Sequence, residues 1–176
     1  MVQNRKKENN YAFIDAQNLY LGTKDDGWAV DIFKLRVYLK DKYKVVKAYW
    51  FIGYIKENEK FYSLLRDAGF KIVFKEISQD KNGKPKGNVD VDLTLTSVDL
   101  LSEYDNAILI TSDGDFASLV RYLEDRNKFK VALSPNRKKT SFLLRKACGW
   151  KRAIQYLEDV RDELKKVEKQ KAPSRD

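Results

Sequence analysis

The sequence predicts a three-layer α/β domain, a mostly parallel, five-stranded sheet with helices on both faces. Three observations carry this. Short β-rich runs alternate with amphipathic helical stretches five times along the chain. Aspartates stand at or just beyond the ends of those runs, where an open parallel sheet binds its ligands. A chain of 176 residues that is 43% hydrophobic suffices for one sizeable core and favours one domain over two.

Residues 11–15 form the first strand. A loop carrying Gly22 and Gly27 follows, and Asp31 then caps a helix whose Ile32, Leu35 and Leu39 recur at helical spacing. Residues 44–54 form the second strand. Phe61, Leu64, Leu65 and Ala68 stripe the next helix, which Gly69 ends. The third strand spans 71–77, and the polar stretch 78–88, with Gly83, Pro85 and Gly87, is a loop. The segment after it fits two periods. Val89, Val91, Leu93 and Leu95 alternate as in a strand, whereas Val91, Leu95 and Val98 fit a helix with Leu101 close to the same face. Helix is the reading adopted, because a parallel connection into the fourth strand, 106–110, needs a crossover and no other segment supplies one. Phe116, Leu119, Val120 and Leu123 mark the clearest helix, and residues 130–134 form the fifth strand.

From Thr140 the chain reads as helical, with Leu157, Val160, Leu164 and Val167 spaced by three and four. The organisation is then a basic N-terminal tail at 1–10, the domain at 11–150, a C-terminal helix at 151–170 and a short tail at 171–176. The last helix packs on the domain, or its two heptads form a short coiled-coil contact in a homodimer.

Composition narrows the chemistry. No apolar run is long enough to span a bilayer, and the first ten residues lack the apolar stretch of a secretory signal, so the expectation is a cytoplasmic protein that makes no use of a membrane. Cys148 is the lone cysteine and there is no histidine, which leaves neither an intramolecular disulfide nor a set of zinc ligands. Oxygen ligands remain, and these suit a hard cation such as Mg²⁺ or Mn²⁺. The net charge of +9 is uneven. Arg137, Lys138, Lys139, Arg145, Lys146, Lys151 and Arg152 make seven positive charges with no acid among them, and smaller groups are Arg5, Lys6 and Lys7 and Lys81, Lys84 and Lys86. A polyanionic partner fits this distribution, against the plainer reading of a solvated basic surface.

The aspartates carry the functional argument. Asp15 closes the first strand, while Asp113 and Asp115 leave the fourth in Thr111-Ser-Asp113-Gly-Asp115-Phe116. In a doubly wound sheet those two strand ends flank the point where the winding reverses. One aspartate there is explained as a helix cap, but not both. Asp90 opens the crossover helix and can reach the same crevice, with Asp92 as its substitute. Carboxylates about 5 Å apart repel by roughly 3 kcal/mol per pair at an effective dielectric of 20. A divalent cation offsets that cost, acidifies a bound water and orients a phosphate for in-line displacement.

Three motifs in order, Phe13-Ile-Asp15-Ala-Gln-Asn18, Lys86-Gly-Asn-Val-Asp90 and Ser112-Asp113-Gly-Asp115-Phe116, resemble the NYN domain family, LabA-like members of the PIN-like ribonucleases. The resemblance covers roughly residues 11–135. It implies a sheet of order 3-2-1-4-5 and an Mg²⁺- or Mn²⁺-dependent ribonuclease centre. Carried over by position, Asp15, Asp90, Asp113 and Asp115 are the metal-binding acids, Asn18 orients Asp15 or the scissile phosphate, and Thr111 contacts a ligand or metal water. Ala16 and Ser112 depart from the family pattern, standing where glycine is common.

Substrate contacts are expected from Lys86, near Asp90, from Ser112, and from Arg137, Lys138 and Lys139 after the fifth strand, beside a helix capped by Thr140 or Ser141. Tyr20, Tyr54 and above all Trp28, in its Gly-containing loop, are candidates to stack on unpaired bases. The function so predicted is a metal-dependent ribonuclease acting on single-stranded RNA. Its rival is a non-catalytic RNA- or protein-binding adaptor on the same fold. An aspartyl phosphatase would need its paired acids after the first strand, and a glycosyltransferase would leave Asp15 and Asp90 without a role.

Overall fold

The computed structural model describes residues 8–75, 78–79, 85–86, 89–149 and 153–167, with backbone alone at 78–79 and 85–86. Its centre is strand β1 (Asn10–Asp15), whose six residues are all buried. Along β1 the side chains alternate between two cores. Ala12 and Ile14 face one with Leu35, Leu39, Trp50 and Tyr62, and Tyr11 and Phe13 face the other with Leu93, Phe116 and Leu119. A strand buried on both sides has no polar face to show, and its sequence accordingly has no polar alternation.

Around β1 lie β2 (Val45–Gly53), β3 (Phe70–Lys75), β4 (Ala107–Ile110), β5 (Phe129–Ser134) and β6 (Ile154–Tyr156). Their order is β3-β2-β1-β4-β5-β6, and every pairing is parallel. Helices α1 (Ala16–Asp25), α2 (Ile32–Tyr43) and α3 (Glu59–Asp67) cover one face. Helices α4 (Asp90–Asp99), α5 (Ala117–Glu124) and α6 (Phe142–Ala147) cover the other. The winding reverses between β1 and β4, so their carboxyl ends open a crevice.

The sheet has one strand more than the five expected. Ile154, Gln155 and Tyr156 pair with Ala132, Leu133 and Ser134 and extend the parallel sheet beyond β5. This replaces part of the C-terminal helix expected at 151–170. Gly149, at φ 62°, leaves α6 in the left-handed region, Ile154 enters one core and Leu157 the other. The helical spacing that follows is spent on a 3₁₀ turn (Leu157–Val160) and the single-turn helix α7 (Arg161–Leu164). Asp31 then donates its backbone N–H to Leu164 O, and Lys165 pairs antiparallel with Val30, which holds the chain in an extended path. Leu157 and Leu164 are buried in the chain's own core, so they offer no seam to a coiled-coil partner.

Other differences are local. The segment expected as a loop after β1 is helix α1, capped by Asp15 and tolerant of Gly22 because that glycine packs on Pro135. In α3 the buried ring is Tyr62, and Leu64 points outward. Helix α4 is a helix, as the crossover requires, but it buries Leu93 and Ser97 and leaves Val91 and Leu95 exposed. Gly69, at φ 87°, follows the end of α3 as expected. Two residue pairs of the polar stretch, Ser78–Gln79 and Pro85–Lys86, form a small antiparallel ladder. Residues 76–77 of the expected third strand, the tails at 1–7 and 168–176, and the cations Lys81, Lys84, Lys151 and Arg152 lie outside the described residues. No helix among the described residues is long and apolar enough to cross a membrane.

Candidate functional site

Asp15 is the last residue of β1 and the cap of α1, its Oδ1 accepting the backbone N–H of Asn18 at 3.0 Å. Only 4% of it is exposed. Burial, and then the nearby charges of Asp90 and Asp113, push its carboxyl up to about 6, against the opposing pull of the Asn18 and Gln17 N–H groups. Helix α1 is tied to the far side of the crevice by Asn18, whose Oδ1 accepts both the N–H of Ser112, at 2.7 Å, and the Ser112 hydroxyl. Serine in place of glycine at this position therefore adds a contact.

The acidic turn after β4 is built from short-range hydrogen bonds. Thr111 is buried, and its Oγ1 accepts the N–H of Asp113 at 3.1 Å. That hydroxyl shapes the turn from within rather than lining the crevice. Asp113 caps the next 3₁₀ turn (Gly114–Phe116), accepting the N–H of Asp115 at 3.0 Å. Between the two acids, a Cβ on Gly114 would stand 2.3 Å from Ser141 Oγ. Glycine is thus required by the close approach of the α6 cap, where Ser141 N–H donates to Ser112 O at 2.9 Å.

Asp90 begins α4 and reaches this turn. One carboxylate oxygen from each of Asp90, Asp113 and Asp115 lies within 4.8 Å of the others. Asp15 is outside that tight set but lines the same cleft as Asp90 and Asp113. The cleft has a volume of about 420 Å³, and Asn18, Ser112 and Lys139 also line it. Asp115 is exposed and joins the cleft only through its closeness to Asp90 and Asp113. Asp92 points elsewhere and pairs with Lys75 at 3.2 Å, so of the two candidates Asp90 is the one in the cluster.

The basic residues divide. Lys139 lines the cleft and pairs with Asp25 of α1 at 2.9 Å. Lys138 is exposed beside it. Arg137 turns away to Glu158 and Asp159, so the acid-free run in sequence is partly neutralised by carboxylates from distant segments. The side chain of Lys86 lies outside the described residues. Trp28 is 8% exposed and packs in the core, which removes it as a stacking surface, while Tyr20 and Tyr54 remain exposed.

Asn136 escapes a reading based on charge. Buried after Pro135, it accepts the N–H groups of Lys138 and Lys139 at 2.9 and 3.1 Å and donates to Gly22 O. It thereby fixes the basic loop against α1. The local signal is an asparagine directly before a turn, a common arrangement.

Comparisons with known proteins agree with this architecture. The family model described as NYN domain matches residues 11–154. Low amplitude and bright protein LabA from Synechococcus elongatus is 24% identical over 132 residues, which are 69% of this chain and 71% of that protein. The crystal structure of a protein of unknown function from Vibrio parahaemolyticus superposes with a TM-score of 0.78 at 24% identity, over 93% of this chain and 99% of the other.

Proposed function

The chain belongs to the NYN domain family, which has a nuclease-like PIN fold, and we propose that it is a metal-dependent ribonuclease that hydrolyses single-stranded RNA. The observation that carries the proposal is the convergence of Asp90, Asp113 and Asp115 within 4.8 Å beside the buried Asp15. Three carboxylate oxygens gathered this closely, with no nitrogen or sulfur ligand beside them, are the donor set that would suit a hard cation such as Mg²⁺ or Mn²⁺, with water completing its shell. The raised carboxyl of Asp15, due first to burial and then to the charges of Asp90 and Asp113, supports the same reading, because a divalent cation in the cleft would offset that cost.

Asp90, Asp113 and Asp115 would hold the ion, with Asp15 facing it from β1. When bound, a divalent ion there supplies an acidified water and neutralises charge developing on a phosphate. The remaining steps belong to the protein's own groups. Asn18 and Ser112 keep the ends of β1 and β4 at a fixed spacing. Thr111 holds the Asp113 turn. Lys139 exchanges Asp25 for a substrate phosphate, at little cost because the pair is exposed.

The experiment is RNA cleavage by the purified chain with Mn²⁺ or Mg²⁺, beside Asp113→Asn. Cleavage by the parent that is abolished in a folded Asp113→Asn supports the proposal. RNA that is bound but never cut with any divalent ion would establish the adaptor instead.

A further inference from the structure

The loop between β5 and α6 has an opening on each side. One is the acidic cleft. The other, between α2 and the edge strand β6, is a groove of about 550 Å³. Lys42, Arg137 and Arg145 line it with Asp159, Glu158 also pairs with Arg137, and the rings of Tyr38 and Tyr156 stand in its walls. The excess of cations favours an anionic occupant, and the rings favour one with a flat π-face.

Arg137 is held in an unusual way for a surface cation. Its Nε and terminal nitrogen meet Glu158 at 3.2 Å and Asp159 at 2.7 Å, while its guanidinium carbon lies 3.8 Å over the Tyr156 ring. Those partners take up its edge and one face, yet 50% of the side chain is exposed. A guanidinium fixed flat in this manner is a stacking surface for a base, which a lysine cannot provide. Groove and cleft are joined through one tripeptide. Arg137 lines the groove, Lys139 lines the cleft, Lys138 lies exposed between them, and Asn136 fixes the backbone of both lysines.

We propose that this groove is a second nucleotide subsite, which stacks an unpaired base of the bound RNA strand on the Arg137 guanidinium. The sugar-phosphate backbone passes over Lys138 from the cleft and enters the positive field of Lys42 and Arg145. The nature of the strand rests on the ribonuclease reading above. A base within a duplex is already stacked and cannot enter, so the groove selects for single strands.

The test is binding of a fluorescein-labelled oligouridylate, and of an RNA duplex of equal length, to the full chain carrying Asp113→Asn, read by fluorescence anisotropy. Arg137→Lys keeps the charge and removes the plane. It is expected to weaken single-strand binding about tenfold and duplex binding little. Lys42→Gln, on an exposed helix position, is expected to weaken single-strand binding and to flatten its salt dependence by about 0.7 in logarithmic slope. Unchanged single-strand affinity in Arg137→Lys, or an equal loss for the duplex, would overturn the subsite and leave the groove to some other occupant. Cleavage by the Asp113-containing chain is scored separately with Mn²⁺. Cutting with no effect of Arg137→Lys overturns the subsite alone, whereas the Arg137→Lys loss without any cutting keeps the subsite and overturns the ribonuclease.

Discussion

Asn18 of α1 accepts the backbone N–H of Ser112, just past β4, at 2.7 Å, and so bridges the two strand ends that carry the acidic residues. The backbone N–H of the same Asn18 donates to Oδ1 of Asp15, which caps α1. One residue therefore sets both the orientation of the buried acid and the width of the crevice.

Replacing that residue tests the bridge. Asn18→Ala leaves Ser112 N–H without its acceptor, and should destabilise the fold by about 1–3 kcal/mol in denaturant melts. RNA cleavage should fall by more than this stability loss explains, because the acids on β1 and after β4 are no longer held at one spacing.

The raised carboxyl of Asp15 predicts a pH dependence in metal-free protein. Its unfolded value is near 3.8 and its folded value about 6, so the folded chain binds the proton more tightly. Stability is then free of this cost below about pH 4 and loses roughly 3 kcal/mol as pH rises through 6. Urea melts in EDTA across that range, compared with Asp15→Asn, isolate the effect. The variant should lack this part of the slope, and Mn²⁺ should restore stability to the parent above pH 6.

Gly114 tests how closely α6 presses on the acidic turn. A methyl group at this position would meet Ser141 Oγ at 2.3 Å, so Gly114→Ala must move either the turn or the α6 cap. The expected outcome is a stability loss of about 1–3 kcal/mol. A loss of Mn²⁺ affinity should accompany it, read by titration calorimetry. Gly22→Ala, whose Cβ would meet Pro135 at 2.6 Å, should cost similar stability and also displace the loop that carries Lys139.

Lys139 and Asp25 form an exposed pair at the cleft. Lys139→Ala should weaken RNA binding and lower its logarithmic salt slope by about 0.7, while Asp25→Asn should strengthen binding by freeing the lysine. Filter binding over a salt series checks both signs.

What the sequence discloses here is what neighbours in sequence decide. Asp15 ends an apolar run, and Asp113-Gly-Asp115 follows another, so their place at strand ends is legible without the fold. Asp90 needed the argument that a parallel crossover must be helical. The remainder depends on distant partners. Helix α1 carries Gly22, which reads as loop until Pro135 is seen against it. The run from Arg137 to Lys139 reads as free positive charge until Glu158, Asp159 and Asp25 are brought to it. The C-terminal apolar spacing suits a long helix, yet Ile154 and Leu157 enter opposite cores, which one helical face cannot do. Trp28, beside Gly27, looks like an exposed ring and is instead covered by the core and by Arg161.

The most direct test of the aspartate centre is a Mn²⁺ titration followed by electron paramagnetic resonance on the parent chain, Asp90→Asn, Asp113→Asn and Asp92→Asn. The first two variants remove members of the cluster, and the third removes the partner of Lys75. The account predicts that Mn²⁺ binds to the parent and to Asp92→Asn and is lost from the other two. Equal binding by all four proteins, or loss only in Asp92→Asn, would contradict it.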